Sequence, residues 1–369
     1  MIRNLKGKLQ ALAQPPLAEP APVVEEACFV RDSAEPLSSY PGLLDVTAES
    51  VRVMTLGDSR PFDIDRTLFL DTETTGLAGS GTVAFLISVG FIEGGKFVTR
   101  LLLMRDYSQE YNQLSLLADL MDGMDWIVTF NGKSFDVPLL RGRFIMQGLR
   151  RRWRELNHID LLHASRRVWK PRLVSCTLQR LESELLGVTR VDDLPGADVP
   201  ARFFEYLKTG RFGLLEDVMR HNTQDARTLA RLLAKLSRTY GQAEEQTDML
   251  DVLALGRSLY RAGEIERARR CFSVASVGAT AGMARVALAE SYRRGGSWEQ
   301  ARGVYERMAE YGEGGAFPYV ALAVLAERRE RNPGKALLLT REAMRRARDD
   351  ELPGLEKRRE RLQRKLDMR

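Results

Sequence analysis

The sequence predicts an α/β domain built on a mixed sheet, followed by an all-α domain of repeated helix pairs. Three observations lead to this prediction. Short apolar runs typical of strands follow one another from about residue 45, and strand-like and helical segments then alternate up to about residue 240. From residue 247 onward no run is strand-like, and a helical pattern recurs there at a fixed spacing.

The composition limits the class of protein. Of the 369 residues 44% are apolar, which excludes a disordered or collagen-like chain, and the length suits two or three domains. The formal net charge of +6 permits a polyanionic partner such as nucleic acid, although a solvated surface could carry the same charge. No apolar run reaches the length of a membrane span and no signal peptide is evident, so we expect a cytoplasmic protein without a membrane partner. Three widely spaced cysteines argue against a disulfide framework and a structural zinc site.

The α/β domain is predicted over residues 45–240, after an N-terminal segment of residues 1–44. The Pro- and Ala-rich stretch 12–27 within that segment is predicted to be an extended linker. The domain opens with two runs predicted as strands, LDVTAESVRVMTLG and TLFLDTETTGL. An antiparallel ribbon follows, in which Gly94 and Gly95 supply the positive φ of a hairpin turn. Beyond it we expect helices at 107–121 and 135–147 and strands at 126–132 and 158–161.

Residues 247–369 are predicted to form helical repeats that end in a basic C-terminal helix. Gly256 and Ala289 are 33 residues apart, and the same offset relates Leu255 to Leu288 and other packing positions. This register resembles the 34-residue tetratricopeptide repeat, in which two helices pack through small residues. A generic helical bundle is the alternative.

Two carboxylates stand at the end of an apolar strand. Asp71 and Glu73, in LFLDTETTGL, project to the same side of the chain because strand side chains alternate. Carboxylates held together repel each other unless a cation lies between them, and Mg²⁺ and Mn²⁺ prefer such oxygen ligands. Taken alone, the two residues could equally have a structural role in stabilising a turn.

Two further segments carry carboxylates, and one of them also carries a histidine. Asp136 follows the apolar strand WIVTF and falls in the first turn of the next predicted helix. His221 and Asp225 are four residues apart on a later helix and therefore share one face. Each could be an ordinary helix carboxylate or surface pair, but their order along the chain makes coincidence improbable.

These three segments together resemble a known family. DTETTGL at 71–77, NGKSFDVP at 131–138 and HNTQD at 221–225 are similar to the three motifs of the DEDD exonucleases, which have a ribonuclease-H-like fold. With a linker before and repeats after, the sequence most resembles the bacterial YprB-type family. His221 stands at the four-residue spacing of the tyrosine subgroup, with histidine in the place of tyrosine.

The resemblance implies a two-metal site and a set of roles. Asp71 would bridge two divalent cations, Mg²⁺ or Mn²⁺, Glu73 and Asp225 would bind one of them, and Asp136 would hold the other. His221 would orient or deprotonate the attacking water. Seven further residues are expected beside the metals or the substrate: Thr74, Gly76, Leu77, Asn131, Lys133, Phe135 and Asp160. For Asp160 the alternative is a structural role in a turn or as a helix cap. An arginine run from Arg141 to Arg154 could bind phosphates or simply face solvent.

The resemblance implies a 3′–5′ exonuclease acting on DNA, in DNA repair, with the repeats docking a protein partner such as a helicase. An RNA-processing nuclease is the nearest alternative, because nothing in the residues indicates how a 2′-hydroxyl would be recognised or excluded. A catalytically silent nucleic-acid adaptor is the rival from another class.

Overall fold

A six-stranded mixed sheet forms the centre of the N-terminal part. The structure is a computed structural model that describes residues 27–76, 81–190 and 194–368. In spatial order the strands run β1-β4-β3-β2-β5-β6; the first three pairings are antiparallel and the last two are parallel. The strands are β1 (Phe29–Pro36), β2 (Thr67–Thr74), β3 (Ala84–Glu93), β4 (Lys96–Leu103), β5 (Trp126–Thr129) and β6 (Asn157–Asp160).

The hairpin between β3 and β4 forms at the predicted place. Glu93 pairs with Lys96, and Gly94 and Gly95 between them have φ of 55° and 72°. These angles suit a two-residue turn that matches the twist of the strands.

The sheet begins earlier than the sequence indicates. Strand β1 pairs along its whole length with β4, so the α/β part starts at Phe29 and not at residue 45. The first 26 residues, and with them most of the predicted linker, lie outside the described residues.

The run LDVTAESVRVMTLG, predicted as a strand, contains helix α1 (Ala48–Met54). Thr47 caps the helix by accepting a hydrogen bond from the backbone N–H of Ser50 at 3.1 Å. Val51, Val53 and Met54 are buried in the core. The cap and this packing outweigh the β-propensity of the valines.

Helices cover both faces of the sheet. The longest, α7, carries an apolar stripe that packs over β2, β3 and β4. After α1, the helices of this part are α2 (Glu110–Met121), α3 (Asp136–Met146), α4 (Leu161–Leu173), α5 (Leu178–Leu181), α6 (Val199–Thr209) and α7 (Glu216–Gly241). A π-helical turn, Glu182–Leu186, follows α5.

The C-terminal region is all-helical, which together with the sheet confirms the predicted fold class. Consecutive helices contact each other closely in three pairs, α8 with α9, α10 with α11 and α12 with α13, and α14 packs on α13. The tetratricopeptide assignment itself stays a prediction. The helices are α8 (Met249–Arg261), α9 (Ile265–Val274), α10 (Ala281–Arg294), α11 (Trp298–Glu310), α12 (Phe317–Arg328), α13 (Pro333–Arg346) and α14 (Leu352–Asp367).

The two regions share one buried core. Leu253 and Leu255 of α8 belong to the same apolar cluster as Leu161 and Val168 of α4. Beside this cluster, Arg172 forms an ion pair with Asp251 at 3.0 Å. Among the described residues, no helix is both long and apolar enough to cross a bilayer.

Candidate active site

Strand β2 brings Asp71 and Glu73 to the middle of the sheet. It lies between β3 and β5, and Asp71 is paired with Ser88 of β3. Because side chains alternate along a strand, Asp71 and Glu73 share the face that α7 covers. The register shifts between Glu73 and Thr74, so regular pairing breaks at the site.

The loop after β5 positions Asp136. Asn131 has φ of +69°, which turns the chain sharply. The Asp160 carboxylate accepts hydrogen bonds from the backbone N–H groups of Asn131 and Lys133, at 2.9 and 3.1 Å, and so fixes this turn. Helix α3 then begins at Asp136, whose Oδ1 accepts a hydrogen bond from the Thr72 hydroxyl.

Helix α7 supplies the remaining groups. The Nε2 atom of His221 lies 3.8 Å from Oε1 of Glu73 and 3.5 Å from Oδ2 of Asp225. The Asn222 amide, on the adjacent residue, donates to Oδ2 of Asp71 at 2.5 Å. The helix therefore holds Asp71 by a hydrogen bond from Asn222 and places His221 beside Glu73.

Burial raises the pKa values of three of the carboxylates. Burial and the charges of Asp225, Asp136 and Glu73 raise the pKa of Asp71 well above its ordinary value. Burial raises the pKa of Asp136 to about 6, against the hydrogen bond from Thr72. Burial also raises the pKa of Asp225, which neighbouring Arg190 opposes. The folded chain thus holds acidic groups together at an electrostatic cost.

This donor set fits a divalent cation. Glu73, His221 and Asp225 each offer an atom, and these atoms lie within 4.8 Å of one another. Carboxylate oxygens are the ligands that Mg²⁺ and Mn²⁺ prefer, and a cation would relieve the repulsion that raises the pKa of Asp71. In addition, Oδ1 of Asn222 is buried without a hydrogen-bond partner among the described residues.

A buried arginine adjoins this set. The Arg190 guanidinium donates to both carboxylate oxygens of Glu182, from Nε at 2.5 Å and from an NH2 group at 2.8 Å, and it also forms an ion pair with Asp225. Its Nη1 lies 3.4 Å from Nδ1 of His221. Glu182 is itself 1% exposed and accepts a hydrogen bond from Thr228. Arg190 is thus an internal cation bound to one of the expected metal ligands.

The other expected site residues have varied positions. Asp160 acts as the N-cap of α4 by accepting from the Leu162 N–H at 3.1 Å. The Thr74 hydroxyl donates to the carbonyl of Gly76 at 2.8 Å, and Phe135 is 54% exposed just before α3. Leu77 lies outside the described residues. Four arginines of the expected phosphate-binding run form ion pairs with acidic residues: Arg141, Arg143, Arg152 and Arg154.

Sequence reasoning missed four residues that shape the site. Thr72 and Asn222 lie inside the recognised motifs, so their place in the sequence could have indicated that they contact the site. Arg190 and Glu182 lie in a separate segment with no motif, and only the folded chain brings them to α7.

Comparisons with known proteins agree with this geometry. Residues 68–237 match the model of the RNase_H superfamily. The uncharacterized protein YprB of Bacillus subtilis (strain 168) is 30% identical over 227 residues. Residues 68–237 therefore form a ribonuclease-H-like domain, and the chain is similar to YprB over part of its length. The match covers 58% of this chain and 54% of YprB, so the chain spans about half the length of that curated relative.

The comparisons do not test the tetratricopeptide assignment. A solved structure, the family B DNA polymerase of the hyperthermophilic archaeon Pyrobaculum calidifontis, is similar at 17% identity and a TM-score of 0.37. That likeness covers 63% of this chain and 29% of the polymerase chain, and at this score it supports no conclusion about function.

Proposed function

We propose that this protein is a metal-dependent 3′–5′ exonuclease that hydrolyses phosphodiester bonds, with DNA as the favoured substrate. The observation that carries the proposal is the convergence of Asp71, Glu73, Asp136, His221 and Asp225 from three separate segments of a ribonuclease-H-like domain. The direction of cutting and the preference for DNA come from the family resemblance.

The roles are those that the family resemblance implies, and the closeness of Glu73, His221 and Asp225 supports them. Asp71, Glu73 and Asp225 would hold one divalent cation, and Asp71 with Asp136 a second, as Mg²⁺ or Mn²⁺. Such ions neutralise phosphate charge and lower the pKa of water when bound. His221 lies within 4 Å of two of these ligands, so it can orient a water there and accept its proton.

Asn222 and Thr72 keep the carboxylates in place. Each donates a hydrogen bond to one carboxylate oxygen, which restricts rotation of the carboxylate and leaves the other oxygen of Asp71 or Asp136 available to a cation. Ligands fixed in this way need little reorganisation when substrate binds.

An RNA-processing exonuclease is the nearest alternative. A silent adaptor is disfavoured, because a protein without activity has little reason to keep mutually repulsive carboxylates beneath one helix. A role in DNA repair, a helicase partner and a place in the cytoplasm stay predictions.

Digestion of end-labelled strands tests the proposal. DNA and RNA of one sequence would be incubated with Mn²⁺, Mg²⁺ or EDTA. A 5′-labelled DNA should shorten progressively while a 3′-labelled DNA releases its label at once, and EDTA should stop both. Shortening of RNA alone would favour the RNA alternative. Binding without cleavage under every metal condition would favour the adaptor.

A further inference from the structure

The positive charge of the chain lies in its helical region. Residues 247–369 contain 25 Lys and Arg against 18 Asp and Glu, whereas the whole chain has 56 against 50. The rest of the chain, including the ribonuclease-H-like domain, is therefore close to neutral. An excess of this kind on one region is typical of a surface that meets a polyanion.

Part of this charge lines a groove between α8 and α10. The cavity has a volume of about 560 Å³, and Phe272 of α9 forms part of its wall. Three arginines, Arg257, Arg261 and Arg294, border it beside the partly buried ring of Tyr260, together with one carboxylate, Glu290. The groove thus combines cations with an aromatic face.

The cations of the groove are poorly neutralised. Within the parts of the chain that the structure describes, Arg257 and Arg261 form no ion pair, and Arg294 approaches Glu290 only at 4.0 Å. Glu290 is already bound by Arg293 at 2.6 Å and accepts a hydrogen bond from Tyr305 at 3.1 Å. The arginines that follow the second motif are mostly paired, so this groove is the better candidate for binding an anion.

One arginine recurs along the helical region. Arg261, Arg294 and Arg328 are the last residues of α8, α10 and α12, each the first helix of its pair. All three are exposed. A cation at the end of a helix also stabilises the helix dipole, by about 0.3–1 kcal/mol, and this is the plain alternative for each of them. Helix stabilisation does not explain Arg257, which lies in the preceding turn.

We propose that this groove binds the phosphate backbone of a single-stranded nucleic acid, with Tyr260 stacking on a base. Unpaired arginines supply the attraction to phosphate, and an aromatic ring accepts any base. The inference rests on the proposed function only for the choice of ligand. It assigns to the helical region a role in holding nucleic acid, in addition to any protein partner.

The test measures binding in EDTA, so that cleavage plays no part. Fluorescence anisotropy of a labelled oligothymidylate is followed from 50 to 300 mM salt. Each phosphate contact contributes about 0.7 to the slope of log affinity against log salt for a single strand. The triple variant Arg257→Gln, Arg261→Gln, Arg294→Gln should therefore bind more weakly, with a slope smaller in magnitude by about 2.

Matched variants separate this role from charge and stability alone. The control replaces exposed arginines on the second helices of the pairs, Arg270→Gln, Arg307→Gln and Arg345→Gln, and should keep the slope of the wild type. Lysine at the three groove positions should preserve most of the slope, whether or not the glutamine variant is stable. Equal slopes for the two glutamine triples would overturn the proposal. Binding of an acidic peptide in the groove without any binding of oligothymidylate would also overturn it.

Discussion

Arg190 should compete with a divalent cation for Asp225. Its guanidinium forms ion pairs with Glu182 and Asp225 while only 10% of the side chain is exposed. In Arg190→Gln the buried Glu182 loses its cationic partner and keeps the hydrogen bond from Thr228, and the acidic cluster loses its internal cation. Breaking a buried ion pair costs about 3–5 kcal/mol. At roughly 2–4 °C for each kcal/mol in a domain of this size, Tm in EDTA should fall by about 10 °C.

Metal should restore more stability to this variant than it adds to the wild type. With Asp225 released, we expect Mn²⁺ to bind at least about tenfold more tightly, which corresponds to about 1.4 kcal/mol of additional stabilisation at saturating metal. Thermal melts with Mn²⁺ or EDTA give the stability, and electron paramagnetic resonance of free Mn²⁺ gives the Kd.

Arg143→Gln provides the matched control. Arg143 forms a buried ion pair with Glu110, with Nε and Oε1 2.5 Å apart, two turns beyond Asp136 on α3. Its loss should lower Tm in EDTA by a similar amount and leave the Kd for Mn²⁺ unchanged. If Arg190→Gln binds Mn²⁺ no better than the wild type, Arg190 does not compete with metal and the reasoning is refuted.

Three further outcomes are expected. Asn222→Leu should lower kcat by at least about tenfold with little change in fold, because Asp71 loses the amide that orients it; an unchanged kcat would contradict this. The ion pairs of Glu327 lower its pKa from 4.5 to about 2, so their stabilisation is complete above pH 4.5 and lost as the pH falls to about 2; melts of Glu327→Gln should differ from the wild type at pH 7 and converge near pH 2. Gly256→Ala should destabilise by about 1–2 kcal/mol in urea unfolding, since its Cβ would lie 2.8 Å from a ring carbon of Phe272, whereas Gly303→Ala, in open space on α11, should be neutral or stabilising.

The parts of the molecule that sequence could predict are those that short-range patterns determine. Asp71 and Glu73 lie in the second half of β2, after its buried first half, and Asp136 begins a helix, so their places follow from local periodicity. The spacing of His221 and Asp225 on a helix indicates a shared face. To predict that these segments come together, the order of the strands in the sheet had to be known, and the family resemblance supplied it.

Strand β1 shows why other parts could not be predicted. Its inward-facing side chains include Arg31, Ser33 and Glu35, which reverse the usual apolar-inside pattern. Arg31 and Glu35 form ion pairs with α7, such as Arg31 with Glu216 at 2.7 Å, and Ser33 accepts a hydrogen bond from Arg227 of the same helix. Such pairing joins residues far apart in the chain and leaves no periodic signal. The same holds for Arg190, whose partners Glu182 and Asp225 become neighbours only through folding.

Cleavage by a single-carboxylate variant tests the central claim most directly. Wild type and Asp71→Asn would be incubated with the same 5′-labelled DNA strand and Mn²⁺, after melts show that both are folded. We predict a ladder of shortened products for the wild type, none with EDTA, and none for Asp71→Asn, together with weaker Mn²⁺ binding by the variant. Full cleavage by Asp71→Asn would contradict the assignment of the active site.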